Sequence, residues 1–495
     1  MREAAGKIRA CRDPAPARTF RCAAAVVMAS VMSSASLQPR RFRDEVRTTA
    51  VLAAPLAAAH VSSGLIGFVD SVIAGRHGTA TLAGVSVGTA LFWLPMMIPM
   101  GTLMALPPLV SRLDGAGRRA EIGPQFRQAL WLSAMLGVAM FAFLSVAPYG
   151  LAWLGIAPEI RPAATDFLRG IRWGIPAFTL YLCMRYLSDG LHWTLPSMVL
   201  GFGGLLLLAP TGYVLTFGLF GFPELGALGL GAASALMMWA QALCFALYLW
   251  KARRFADLRL FAHAEPPRWA IIGDLLKTGL PIGVTVAMEG GLFIATALLI
   301  GRLGPVPAAA HQIAINVASL SFMIPFGLAE ATTVRVGHAL GRADRDGLRR
   351  AAFAGYALLL VTQSIAAAAM LWGNHAIVAL YTHDAAVAAL AASLLLFAAA
   401  FQFPDGIQVL SAGALRGIKD TRVPMLLAAL AYWGIGMPVG AGLGLALGYG
   451  PRGMWVGLIA GLLVAATLMA GRFLRSSRRV PMVAGAAQVM VTNDA

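Results

Sequence analysis

The chain has 495 residues, 59% of them hydrophobic and only 12% charged, with a formal net charge of +17. A soluble globular protein of this length needs far more charge to cover its surface, so that class is excluded. The chain also lacks the alternating ten-residue pattern of a membrane β-barrel, which excludes that architecture too.

Apolar runs long enough to cross a bilayer core of roughly 30 Å as helices follow one another along the chain. The first six fall at about 49–74, 82–111, 126–149, 163–184, 196–217 and 226–250. The longest polar connection follows, at about 251–270 (KARRFADLRLFAHAEPPRWA). Six more runs fall at about 271–300, 308–337, 351–375, 386–412, 422–447 and 453–474. An even number per half returns the second half to the side where the first began, so two such halves are parallel repeats. The expected plan is an N-terminal extension (1–44), a first lobe (45–250), a cytoplasmic linker (251–270), a second lobe (271–475) and a mobile tail (476–495). The extension is rich in Arg and Ala and holds an apolar stretch from Cys22 to Met32. It reads as a signal peptide or as an upstream extension with Met28 or Met32 as the true start. The second reading is preferred, because a cleaved signal would normally place the next segment outside, against the charge pattern.

That charge pattern sets the orientation. With the N-terminus cytoplasmic, all but six of the 39 Lys and Arg fall on cytoplasmic segments or helix ends; the six are Arg76, Arg161, Arg169, Arg172, Arg302 and Arg452. This positive-inside bias places both termini in the cytoplasm. The basic balance is therefore an insertion signal, with the lipid bilayer as its partner and no nucleic acid. The four cysteines, Cys11, Cys22, Cys183 and Cys244, have no metal-site spacing and read as inert thiols.

The two halves match without a gap at an offset of 226: Pro55 on Pro281, Gly64 on Gly290, Gly78 on Gly304, Pro99 on Pro325, Gly101 on Gly327 and Gly115 on Gly341. Further on the offset is 228, with Pro176 on Pro404, Pro196 on Pro424 and Pro210 on Pro438. Glycine and proline report backbone geometry, so what repeats is a backbone plan. A duplicated membrane bundle points to a transporter with its site where the halves face each other. Pro99, Pro325 and Pro404 lie inside their runs and are hinge candidates.

Three acids fall at membrane depth: Asp70, Glu289 and Asp405. A carboxylate there costs about 2.5–3.5 kcal/mol on insertion scales, so it faces the interior and binds something. Their repeat partners are Thr296, Ser63 and Ala177, none of them charged. The acids are therefore lobe-specific chemistry added to a shared scaffold. No equally buried Lys or Arg is evident to neutralise them. Such a pair of acids can hold a proton or Na⁺, or release it and attract an organic cation, which is the minimum for antiport. Glu330 is a fourth acid, and reads either as a secondary binding residue or as one led by the nearby Arg335 and His338 towards the cytoplasmic surface. Arg185 with Asp189, and Arg416 with Asp420, lie four apart and read as solvated ion pairs bracing a gate. His311 and Gln312 open the eighth run and serve either capping and packing or substrate contact. Phe293, Phe401, Phe403, Tyr432, Trp433 and Trp455 offer either cation–π surfaces or packing.

Several long motifs agree, in order, with one family: FVDSVIAG (68–75), MALPPLVSRLDGAG (104–117), LGPVPAAAHQIAIN (303–316), FMIPFGLAEATTVRVGHALG (322–341) and LSAGALRGIKDTRVP (410–424). Over about residues 45–475 the chain resembles a multidrug and toxic compound extrusion (MATE) transporter of the NorM-like subgroup. The resemblance implies an all-α polytopic membrane protein of MATE fold, with twelve helices in two six-helix lobes around a cleft that opens to either side. It implies export of organic cations coupled to Na⁺ or H⁺, with no cofactor. It ties the acid of the FVD motif, a Glu of the seventh helix and an Asp of the tenth to cation or substrate binding, here Asp70, Glu289 and Asp405. Na⁺ is assigned to Glu289 and Asp405. Two departures follow. The fifth run, Leu205 to Gly212, lacks the Asn or Asp that relatives place near Asp70. Phe401 stands where Na⁺-using relatives carry Tyr, which leans the coupling towards H⁺. Glu330 stands where relatives usually have a small residue.

The expectation is a monomeric cation-coupled multidrug antiporter of the bacterial inner membrane. The alternative is a lipid-linked oligosaccharide flippase, which would need basic cavity residues to hold pyrophosphate. An enzyme is not expected, since no HExxH, Gly-Asp or serine–histidine set lies at membrane depth.

Overall fold

The computed structural model describes residues 41–263 and 265–480. Residues 1–40 of the expected extension, with both alternative start codons, and residues 481–495 of the expected tail lie outside the described residues. Every regular element among the described residues is helical. The first half holds α1 (Phe42–His77), α2 (Thr79–Leu103), α3 (Leu106–Gly115), α4 (Ile122–Gly150), α5 (Arg161–Ile171), α6 (Ile175–Gly190), α7 (Leu195–Phe217) and α8 (Gly226–Lys251). The second holds α9 (Trp269–Gly301), α10 (Pro305–Gly341), α11 (Arg345–Trp372), α12 (Asn374–Ala379), α13 (Ala385–Gly417), α14 (Arg422–Ala429), α15 (Met437–Ala441) and α16 (Gly450–Arg479).

Local sequence explains the ends and breaks. Asp344 and Asp384 cap α11 and α13, accepting from the Gly347 amide and from those of Ala386 and Val387. Pro107 and Pro108 open α3 after a turn that ends α2. Eleven helical segments among the described residues are long and apolar enough to cross a membrane. The run expected at 163–184 is present as α5 and α6, joined by a 3-10 turn at Arg172–Gly174 just ahead of Pro176, but Arg169, Arg172 and Arg185 make it less apolar than the other eleven. The eleventh run is continuous but unwinds into π-helical turns at Leu430–Gly436, directly before Pro438.

The buried apolar side chains form one cluster that runs through the first half from Ile73 to Leu260 and takes in Ile272, Leu275 and Ile282 of α9, and another within the second half, from Leu292 to Phe473. A third, smaller cluster joins Leu52, Ala53 and Leu56 of α1 to Leu328 and Val334 of α10 and to Val409 and Leu410 of α13. This is the seam between the halves, and the repeat glycines line it. A Cβ on Gly115 would overlap the His338 carbonyl, and one on Gly341 would overlap that of Arg112. Gly101 meets the backbone of Gly283, and Gly327 that of Ala57. The contacts are reciprocal because the glycines are repeat partners. Where such residues lack side chains, helix backbones can touch.

Buried ion pairs cross the same seam. Arg335 of α10 makes a bidentate pair with Glu45 of α1, with N–O distances of 2.6 and 2.8 Å. Removing one member of a buried pair leaves the other uncompensated, at about 3–5 kcal/mol. Arg335→Ala is therefore expected to lower the melting temperature of the detergent-purified protein, and the double variant Arg335→Met/Glu45→Met to recover most of the loss. Thermal unfolding followed by tryptophan fluorescence checks this; equal melting of all three proteins would contradict it.

The linker docks on the first half. Arg119 bonds Asp257 at 2.7 Å and holds its carboxyl below the usual carboxylate range. Arg127 pairs with Glu265, and the Arg268 amide donates to Gln128 at 2.6 Å.

Candidate functional site

Glu289 sits in the middle of α9 and Asp405 in the middle of α13. The two carboxyl groups lie within electrostatic range of each other. Asp405 is only 2% exposed, and its Oδ1 has no hydrogen-bond partner among the described residues. One turn on from Asp405, Gln408 shares its helix face; its amide reaches Glu289, while its own Oε1 is unpartnered. Glu289, Gln408 and Arg416 line one cavity with Thr285, Phe326 and Asp420.

Tyr432 completes the group. It projects from the π-helical turn ahead of Pro438, is fully buried, and its hydroxyl has no hydrogen-bond partner among the described residues. Both carboxylates act on it electrostatically. Phe401, on the helix of Asp405, packs edge-on against Phe293 at 6.0 Å and Trp455 at 5.7 Å. The hydroxyl in electrostatic range of the acids is that of Tyr432, from a different helix. In the sequence Tyr432 was one aromatic among six; its signal was the proline six residues on, which disrupts regular helix there.

The other candidates divide. Asp70 is buried on α1 at 8% exposure, with Oδ1 unpartnered and no ion pair among the described residues. His311 is 2% exposed, 5.9 Å from Trp455, and both its ring nitrogens lack a partner among the described residues. Gln312 is exposed and donates to Asn316 at 3.3 Å. Pro99, Pro325 and Pro404 lie inside α2, α10 and α13. Three or more His, Cys, Asp or Glu never gather in a metal-holding group among the described residues. Glu289 and Asp405 are thus two carboxylates with the neutral Gln408 and Tyr432 side chains in range.

Four expectations about charge need correcting. Glu330 does not approach the surface: it is buried at the seam, 2.9 Å from His60 Nε2 and 3.4 Å from Arg185. Arg185 and Asp189 do pair, at 3.3 Å, but they are buried rather than solvated, and Ser197 donates to Asp189 at 2.7 Å. Arg416 and Asp420 do not pair; Asp420 accepts from Arg472 at 2.8 Å instead. Buried cations are thus present after all, as Arg185 and Arg416. The reason is tertiary: helices distant in sequence supply the partners, and spacing along one helix cannot show them.

Comparison with known proteins agrees with this architecture. The MatE family model matches residues 55–214 and again residues 281–441. The two matches begin 226 residues apart, the offset of the glycine and proline repeat. The probable multidrug resistance protein NorM of Xanthomonas campestris pv. campestris is 69% identical over 455 residues, 92% of this chain and 99% of that protein. The multidrug resistance protein PmpM of Pseudomonas aeruginosa is 44% identical over 447 residues, 89% of this chain and 93% of that protein. The crystal structure of the eukaryotic MATE transporter AtDTX14 has a TM-score of 0.78 at 18% identity, covering 89% of this chain and 100% of that one. An outward-facing multidrug resistance MATE family transporter has a TM-score of 0.80 at 18% identity, covering 88% and 96%. The expected all-α polytopic membrane fold holds.

Proposed function

Because the chain belongs to the MATE family, whose members are transporters and not enzymes, we propose that it is a multidrug antiporter of the bacterial inner membrane. It exports organic cations in exchange for inward Na⁺ or H⁺. Its two lobes, 45–250 and 271–475, rock about the glycine-lined seam, and both termini lie in the cytoplasm.

The observation that carries this reading is the pair of buried acids without ion-pair partners. Asp405 Oδ1, the Tyr432 hydroxyl and Gln408 Oε1 are buried oxygens with nothing to accept from among the described residues. Buried polar atoms are normally satisfied. Their convergence near Glu289 suits a small cation that comes and goes. The bound ion favours one lobe arrangement and the organic cation the other, because each binds the two with different affinity. Asp70, in the first lobe, is the third acid, available to a cationic substrate. A lipid-linked oligosaccharide flippase would need several basic side chains to hold pyrophosphate; the cavity lining holds one, Arg416, facing Glu289.

The test is ethidium transport by the purified protein in proteoliposomes, with Na⁺ and pH gradients imposed separately. At least one gradient is expected to drive accumulation. Failure of both, with the protein correctly inserted, would overturn the antiporter reading.

A further inference from the structure

Arg416 has no role in the scheme so far, yet it is the basic residue that lines the Glu289 cavity. It stands at the end of α13 and is 7% exposed. Its Nε donates to the Ala412 carbonyl at 3.3 Å and its Nη1 to Met104 Sδ, a weak acceptor, at 3.6 Å. Among the described residues it makes no ion pair, because Asp420 is held by Arg472. A guanidinium stays protonated. Burying one without a partner is costly unless negative charge lies near.

Two carboxylates supply that charge. Glu289 faces Arg416 across the shared cavity, and Glu330 acts on it from the seam, with the Tyr186 ring also in range. Their situations differ. Glu330 already has two basic neighbours, His60 at 2.9 Å and Arg185 at 3.4 Å. Among the described residues, the favourable neighbours of Glu289 are Arg416 and the neutral Gln408 amide. Arg416 is thus the principal positive charge offsetting Glu289.

We infer that Arg416 is an internal counter-ion that competes with the coupling ion for Glu289 and is displaced towards Glu330 when that ion binds. The inference rests on the reading of Glu289 as part of the ion site. It adds a physical link between that site and the seam. An arriving cation repels the guanidinium, whose remaining acidic neighbour, Glu330, sits among the bonds that join α10 to α1 and α6. Ion binding therefore changes the electrostatics of the contact between the halves without any contact of its own there.

The test titrates ethidium release from the detergent-purified full chain, with Na⁺ at fixed pH and with pH at fixed Na⁺. The ion that releases ethidium from the unmodified protein is then titrated against variants. Arg416→Gln removes the competitor and should lower the half-effective ion concentration about tenfold, or move it by about one pH unit if the ion is H⁺. Arg416→Lys keeps the charge and should stay near the unmodified value. Glu330→Gln leaves Arg416 wholly to Glu289 and should shift the midpoint the opposite way. A structural role for Arg416 would weaken ion binding in both Arg416 variants. An unchanged or weakened response in Arg416→Gln therefore overturns the inference while leaving the antiporter reading intact. If neither ion releases ethidium from the unmodified protein, the ion-site reading fails, and the counter-ion inference fails with it.

Discussion

Glu289→Gln and Asp405→Asn are each expected to lower gradient-driven ethidium efflux about a hundredfold while leaving the protein as stable as before, or more so. The transport loss follows from charge. A hydrogen bond or contact to a charged group is worth about 1.5–3 kcal/mol, and about 1.4 kcal/mol is a factor of ten. An amide of the same shape cannot hold a proton at this site and binds a cation only weakly. The stability follows from the same burial. Asp405 Oδ1 is an orphan, and a buried, unpaired charge opposes folding. A residue kept for packing would give the reverse: lower melting temperature and little change in transport per folded molecule. Tyr432→Phe should have a smaller effect of the same kind, up to about tenfold, since a neutral hydroxyl contributes about 0.5–1.5 kcal/mol. Efflux from inverted vesicles, normalised to folded protein, with melting curves alongside, reads both quantities. Full efflux in both acid variants would remove these residues from the ion site.

Gly341→Leu is expected to abolish transport by holding the halves apart. A Cβ at position 341 would overlap the Arg112 carbonyl oxygen and come within 2.9 Å of the Ala116 amide nitrogen. Both are backbone atoms in or at the end of α3, so no side-chain rotation relieves the clash. The strain falls at the seam, where separation costs least if the halves are meant to part. Ser111 reports it. The residue is fully buried, and its hydroxyl lies where a side chain on Gly337 would go. In a cysteine-free background, Ser111→Cys should resist a membrane-impermeant thiol reagent applied to the cytoplasmic face. With Gly341→Leu added it should be labelled at least about tenfold faster, as expected when a buried site opens. Gly442→Leu, where a Cβ meets open space, should leave labelling slow. Slow labelling in Gly341→Leu, with transport intact, would mean that the seam does not open there.

Much of the architecture was legible in residue types that act locally. Pro176 marked where the fourth run would break only in hindsight, because internal prolines such as Pro99 and Pro404 sit inside unbroken helices. The seam was legible through the repeat, since glycines at paired positions signal close backbone approach without showing what approaches. Asp405 and Glu289 stood out because charge is rare at membrane depth. Tyr432 did not, because an aromatic in an apolar run is ordinary until its hydroxyl is found without a partner.

The sequence alone determined that the chain spans a membrane as helices, that a backbone plan occurs twice, and that acids were added to it unequally. These properties follow from hydropathy, chain periodicity and the cost of burying charge, which act residue by residue. Tertiary structure decided who meets whom: Glu330 with His60 and Arg185, Asp420 with Arg472, and Arg416 left facing Glu289. Electrostatic partnership depends on distance in space, and helices from opposite halves bring together groups up to 312 residues apart, as for Met104 and Arg416.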